Sequence, residues 1–368
     1  MKQKKAIVLT ARVHPGEVVG SWMMRGCLNF LTDPESHEAK ILRQKFIFKI
    51  IPMLNPDGVI NGNYRCSLAG CDLNRRWKTP HKRLHPTIYH TKKMIKELHD
   101  ERGVLLFVDL HGHSRKQNVF MYGCDNKAKP EECRVFPLIL SKMSPIFDFG
   151  SSRFGVQKSK ESTARVAMYK ELKNCPNIFT MESTFSGIDI GPMKGQIMST
   201  ENFEEVGRDM VRTVLVYMGL YIPPELEHIY GKQEEGKPID VSAILAKELL
   251  EDKSLMDAGD GDSSAGSESE PSEDNLPIEE VANLVPIVEK TQIKKLEKAI
   301  KKKMDDELEA KKPKPPPPKK KIEESPVRPP VVRQKSPMKK PAEEVIKPQI
   351  IEIKKEEKKK PEMKDACT

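Results

Sequence analysis

The chain has 368 residues, a formal net charge of +9 and a sequence pI near 9.0. Up to about Ile222, recurrent apolar runs and both tryptophans, Trp22 and Trp77, suffice for one sizeable core; beyond Tyr230 there is no Trp, Phe or Tyr, and Lys, Glu, Pro, Ser and Asp dominate. No stretch approaches the roughly 20 apolar residues that span a bilayer, the apolar run after Met1–Lys5 is too short for a secretion signal, and the basic runs 311–321 and 354–360 carry no nucleic-acid motif.

In chain order, Ala6–Ala11 reads as a buried parallel strand ending in the polar cluster 12–17. Apolar residues at helical spacing follow from Val19 to Leu31, then a strand from Phe46 to Ile51 and a turn at Asn55–Gly58. The pattern continues with a helix over Ile88–His99, strands over Val104–Leu110 and Val119–Tyr122, and a helix over Phe136–Lys142. It closes with a strand over Ile178–Glu182 and a helix over Phe203–Met218. Such alternation predicts an α/β sandwich with a mixed, mostly parallel sheet. After Pro223-Pro224 come a moderately helical stretch at Val241–Leu250, an acidic linker at Asp257–Asp274, a basic helix at Ile287–Leu308 and a polyproline spacer at Pro315–Pro318. We expect a folded domain over residues 1–230 and a disordered tail with short helices over 231–368. Seven dispersed cysteines without a CxxC pair fit reduced thiols, so the expectation is a soluble, non-secreted protein whose basic runs favour acidic partners over nucleic acid.

His14 and Glu17 stand three positions apart just past a strand, a spacing that suits two ligands of one zinc ion. His111 follows the strand Val104–Leu110 directly, so neighbouring parallel strands would deliver His14, Glu17 and His111 to one sheet edge. Two imidazoles and one carboxylate make a catalytic zinc set with a position left for water. His113, two positions on, is the competing ligand. Arg65 and the run Asp72-Leu-Asn74-Arg75-Arg76-Trp77 supply guanidinium forks of the kind that hold a carboxylate.

Five motifs occur in a fixed order: His14-Pro-Gly-Glu17, Asn55-Pro-Asp-Gly58, the run Asn63 to Arg75, Asp109-Leu-His-Gly-His-Ser114 and Phe179-Thr-Met-Glu-Ser183. Together they resemble the cytosolic carboxypeptidases, the tubulin-deglutamylating branch of the zinc carboxypeptidases, over about Lys4 to Leu220. The resemblance implies an α/β/α sandwich and one zinc ion held by His14, Glu17 and His111, with Asp72 orienting His14. It implies Asn74 and Arg75 on the substrate's terminal carboxylate, Arg65 on the scissile carbonyl and Glu182 as general base. Arg165 falls where the family places a basic residue at the base of the pocket for the departing side chain; Tyr169 lies nearby without an assigned role. The partners implied are tubulin or other proteins with glutamate-rich tails. The location implied is the cytoplasm, with microtubules or cilia as places of association. Family members carry a β-rich domain and further strands ahead of the segment that begins here near Lys4, so Ala6–Ala11 is expected at or near a sheet edge. The alternative reading is a catalytically impaired, shortened homologue that binds acidic tails or acts as a scaffold through its basic tail.

Overall fold

The computed structural model describes residues 4–233 and 239–257. The basic helix and polyproline spacer expected further on, and the acidic linker beyond its first residue, lie outside the described residues. In chain order the elements are β1 (Ala6–Ala11), α1 (Val19–Thr32), α2 (His37–Lys45), β2 (Ile47–Ile51), α3 (Pro56–Ile60), α4 (Pro86–Arg102), β3 (Val104–His113) and β4 (Val119–Tyr122). They continue with α5 (Glu132–Met143), α6 (Ala164–Glu171), β5 (Ile178–Thr184), α7 (Thr200–Tyr217), α8 (Glu227–Tyr230), α9 (Val241–Glu251) and α10 (Lys253–Asp257). None of these helices is long and apolar enough to cross a membrane.

The strands form one sheet in the order β2-β1-β3-β5-β4, parallel except for β4, which runs against β5. The sheet is mixed and mostly parallel, as its unbroken apolar runs predict. β1 lies near the edge as expected but not at it: β2, the edge strand, covers it, with Ala6–Thr10 in register with Ile47–Ile51, and β3 flanks its other side. Side chains alternate along each strand, so the sheet has two different faces. Ile7, Leu9, Leu106, Val108, Leu110, Phe179 and Met181 join a core with α1, α5, α7 and α9. Val8, Phe107 and Ile178 face a second core with Ile88, Ile95 and Leu98 of α4 and Ala164, Ala167 and Met168 of α6. Helices on both faces make the three layers of an α/β/α sandwich.

Toward the C-terminal ends of the strands, this second face turns polar. Thr10, Asp109, His111, Thr180 and Glu182 follow one another there, with Phe120 and Tyr122 on β4 in register with Glu182 and Thr180. Two expectations are corrected in detail. Asn55–Gly58 is not a free turn but the start of α3, with the Asn55 side chain accepting the Gly58 N–H at 3.0 Å. The helical stretch after Pro223-Pro224 packs on the domain through Val241, Leu245 and Leu249, all fully buried.

Candidate active site

The turn after β1 begins with Arg12 in left-handed backbone geometry at φ 56°, unusual for a residue with a side chain. Its guanidinium holds it there, donating to Pro15 O at 3.0 Å and to Ser21 Oγ at 2.7 Å. Asn55 straps the turn from outside through its Nδ2 donating to Val13 O, while the Leu54 and Asn55 amides bond Ala11 O and Arg12 O. A Cβ on Gly58 would lie 2.4 Å from Pro15 Cγ. Asn55-Pro-Asp-Gly58 is thereby explained as the brace that fixes His14 and Glu17.

His14, Glu17 and His111 are all buried, and one ligand atom from each lies within 4.8 Å of the others. Both imidazoles turn Nδ1 toward the Glu17 carboxylate, His14 at 2.6 Å and His111 at 2.9 Å, and the Gly112 N–H donates to the same carboxylate at 3.0 Å. Both outer nitrogens are also bonded: His14 Nε2 to Asp72 at 3.1 Å, and His111 Nε2 to Asp109 at 2.7 Å. A carboxylate on Nε2 keeps the proton there, so Nδ1, which donates to Glu17 in the metal-free site, is the nitrogen that would give up its proton to a metal. Two nitrogens and a carboxylate oxygen, each oriented from behind, fit a zinc ion.

Burial alone would push both imidazoles down. Glu17 and Asp72 nevertheless raise His14 above its ordinary value, and Asp109 and Glu17 raise His111 well above. Burial would likewise raise Glu17 and Asp72. The two histidines outweigh it at Glu17, and His14 with Arg65 and Arg75 outweighs it at Asp72, so both carboxylates end well below the usual range.

Asp72 organises the neighbouring loop. Arg65 Nε donates to its Oδ2 at 2.9 Å, Arg75 Nη1 stands 3.8 Å from the same oxygen, and the Asn74 N–H donates to Oδ1 at 2.7 Å. Asn74 Oδ1 accepts the N–H of Ala164, the first residue of α6, at 2.9 Å, which leaves its amide NH2 as the donor end. Glu182 pairs with His111 on the adjacent strand and retains some exposure. Burial pushes its carboxyl up; His111 opposes this and Glu17 adds to it. Arg165 lies in the first turn of α6, only 6% exposed; its Nη1 donates to Gly123 O and to Cys124 Sγ, with Cζ 5.9 Å from the Tyr122 ring centre. It is therefore not a helix-surface arginine.

Sequence reasoning missed Asp109. It is completely buried, accepts from Thr10 Oγ1 at 2.6 Å and holds His111; an acid inside an apolar strand was the available signal. The expected strand Val104–Leu110 ends before both His111 and its competitor His113. In fact β3 runs on through His113, and both imidazoles share a face. What separates them is contact: His113 Nδ1 accepts the N–H groups of Arg115 and Lys116, and its ring meets Phe120 edge-on. Tyr169 directs its hydroxyl to Asp125 O at 3.5 Å.

Residues 1–147 match the family model described as zinc carboxypeptidase. The chain's fold is zinc carboxypeptidase-like. The chain is similar to cytosolic carboxypeptidase 2 of Xenopus tropicalis, 52% identical over 219 residues, 58% of this chain and 22% of that protein. It is 49% identical over 222 residues to cytosolic carboxypeptidase 3 of Mus musculus, again 58% of this chain and 22% of that one. Among solved structures, a metallo-carboxypeptidase from Burkholderia cenocepacia superposes with a TM-score of 0.52 at 25% identity, over 58% of this chain and 57% of that one. The chain thus spans about a fifth of the length of these two curated relatives.

Proposed function

We propose that the protein is a zinc-dependent carboxypeptidase that removes glutamate from the C-termini or side chains of acidic polypeptide tails. Tubulin tails are the substrate class, and the cytoplasm, with its microtubules or cilia, is the place of action. The observation that carries the glutamate preference is Arg165: a buried guanidinium on the face that holds His14, Glu17, His111 and Glu182, with no carboxylate within ion-pair reach among the described residues. A buried cation is stable when an anion meets it, and the side chain of a terminal glutamate is such an anion.

Each remaining group has a task its surroundings support. Zinc held by His14 Nδ1, Glu17 and His111 Nδ1 supplies a Lewis acid that acidifies water and polarises a carbonyl. Arg75 and the Asn74 amide hold the terminal carboxylate through charge-assisted hydrogen bonds. Arg65, set by Asp72, donates to the scissile carbonyl oxygen as negative charge develops there. Glu182, with its carboxyl pushed up, takes a proton from the attacking water and returns it to the leaving amine.

The test uses the full chain loaded with zinc and peptides ending in Glu, Asp, Leu and Lys. Turnover of the Glu-ending peptide first, falling by roughly two orders of magnitude or more in Arg165→Leu while Leu-ending turnover holds, supports the reading. Arg75→Ala should weaken every substrate together, because all share the terminal carboxylate. Zinc and peptide binding without turnover would point instead to a tail-binding homologue.

A further inference from the structure

We propose that Lys116 is a second specificity-determining cation of the substrate pocket, sharing with Arg165 the side-chain carboxylate of the residue that is released. This rests on the glutamate-directed carboxypeptidase reading.

The placement begins at the end of β3. There the chain turns back toward β4, and the turn is clamped by His113, whose Nδ1 accepts the Lys116 N–H at 2.9 Å and the Arg115 N–H at 3.2 Å. This folds the Lys116 side chain over β4: Nζ lies 4.7 Å from the centre of the Phe120 ring and 5.9 Å from that of Tyr122. Phe120 pairs with Glu182 and Tyr122 with Thr180, so both rings lie on the reactive face of the sheet. The guanidinium of Arg165 borders the same Tyr122 ring, also at 5.9 Å. Two cations that arrive from different parts of the chain, the β3–β4 turn and the first turn of α6, therefore border one aromatic ring.

Neither cation forms an ion pair among the described residues. Lys116 Nζ donates to Ser151 O at 3.3 Å and keeps two further donors, and among the described residues no carboxylate lies within ion-pair reach of it. Its charged neighbours are Arg153, Asp148 and Glu182, and burial together with Arg153 lowers its pKa despite both acids. Arg165 spends one nitrogen on Gly123 O and Cys124 Sγ and keeps its other donors. A ligand that lays an aliphatic stem along Tyr122 and ends in a carboxylate satisfies both groups, which is the shape of a glutamate side chain. A neutral side chain of the same size leaves a buried and a half-buried charge without a partner, and this gives the pocket its discrimination.

The test compares full-length wild type, Lys116→Met, Lys116→Arg and, as an exposed-lysine control, Lys127→Met. Two peptides differing only in a final Glu or Leu are measured for kcat/KM in zinc-loaded protein, and for Kd in a Glu182→Gln background where turnover is blocked. Lys116→Met keeps the stem over Phe120. It should lower kcat/KM and weaken Kd for the Glu-ending peptide by about ten- to a hundredfold, with the Leu-ending peptide within about twofold. Lys116→Arg should restore most of the preference and Lys127→Met should leave it untouched; Lys116→Gln replaces the Met variant should that one fail to fold. Adding Arg165→Leu should cost less than the product of the two single losses, since both hold one carboxylate. A Glu-to-Leu ratio unchanged by Lys116→Met in a protein that prefers Glu removes Lys116 and leaves the peptidase reading standing. A wild type that binds Glu selectively but cleaves nothing ends the peptidase reading, while the Kd ratio still decides Lys116; a wild type that binds both peptides equally overturns the glutamate preference and Lys116 with it.

Discussion

His111 and His113 share a face of β3, yet only His111 has both ring nitrogens on carboxylates, Glu17 inside and Asp109 behind. Alanine at His14, Glu17 or His111 should therefore abolish stoichiometric zinc in dialysed protein, whereas His113→Ala should retain most of it by metal analysis. Equal loss at His113 would reassign the ligand. Glu182→Gln keeps the shape of the base but cannot accept a proton, so zinc content and peptide Kd should hold while kcat falls by about a hundredfold or more. The ligand candidates were legible because each sits at the end of an apolar strand, where a polar residue has little structural reason to be. Asp109 and Lys116 were not. Asp109 shows in the sequence only as an acid inside an apolar strand, its bond to His111 Nε2 appearing with the fold, and Lys116 depends on a fold-back set by His113 that no local pattern records.

At the scale of elements, the strands were legible to within a residue at their starts, because buried parallel strands write themselves as unbroken apolar runs. Five described helices were not: α2, α3, α6, α8 and α10. α2 is mostly polar and is held by tertiary bonds, such as Arg212 Nη2 donating to Glu38 at 2.8 Å; its Ser36 cap, accepting the Ala39 N–H, was the sequence signal available. α6 takes its first-turn acceptor from Asn74, 90 residues earlier, a cap invisible to local reading. The pair α1 and α7 supports the site from the opposite core, since α1 continues directly from the His14–Glu17 turn. They cross where Gly26 meets Glu204 and Gly207 meets Met23: a Cβ on Gly207 would fall 2.0 Å from Met23 O, and one on Gly26 would fall 1.9 Å from Glu204 O. Backbone cannot yield as a side chain can. Gly207→Ala should destabilise the protein by about 1–3 kcal/mol or more, read as a lower midpoint in denaturant at unchanged slope. Gly155→Ala, with nothing within 4 Å of its Cβ, should stay within about 0.5 kcal/mol of wild type.

Across the whole molecule, the three candidate metal ligands and their carboxylate supports join the turn after β1, the loop before α4 and the strand β3, so metal bound there would bear on the stability of the entire domain. The sign of its pH dependence follows from the histidines. His14 and His111 both titrate above their ordinary value of 6.5 in the metal-free protein, so their pairing with Glu17, Asp72 and Asp109 is a stabilising contribution fully present below that value. It is lost as pH rises through the folded-state values. Zinc requires the neutral imidazoles, so metal and protons compete for the two Nδ1 atoms and metal binding releases protons. Glu17 does not enter this competition near neutrality, because its carboxyl is held well below the usual range. Zinc affinity should therefore climb with pH while both protons remain bound, by up to about a hundredfold per pH unit. Each tenfold gain at fixed free zinc adds about 1.4 kcal/mol of stability. Thermal melts at about pH 5.5, 6.5, 7.5 and 8.5, with and without zinc, should show the metal-free midpoint lose this contribution as pH rises while the gap between the curves widens. His111→Ala should close the gap at every pH. A gap independent of pH would mean that the ion binds where no imidazole has to lose a proton, and would take His14 and His111 out of the ligand set.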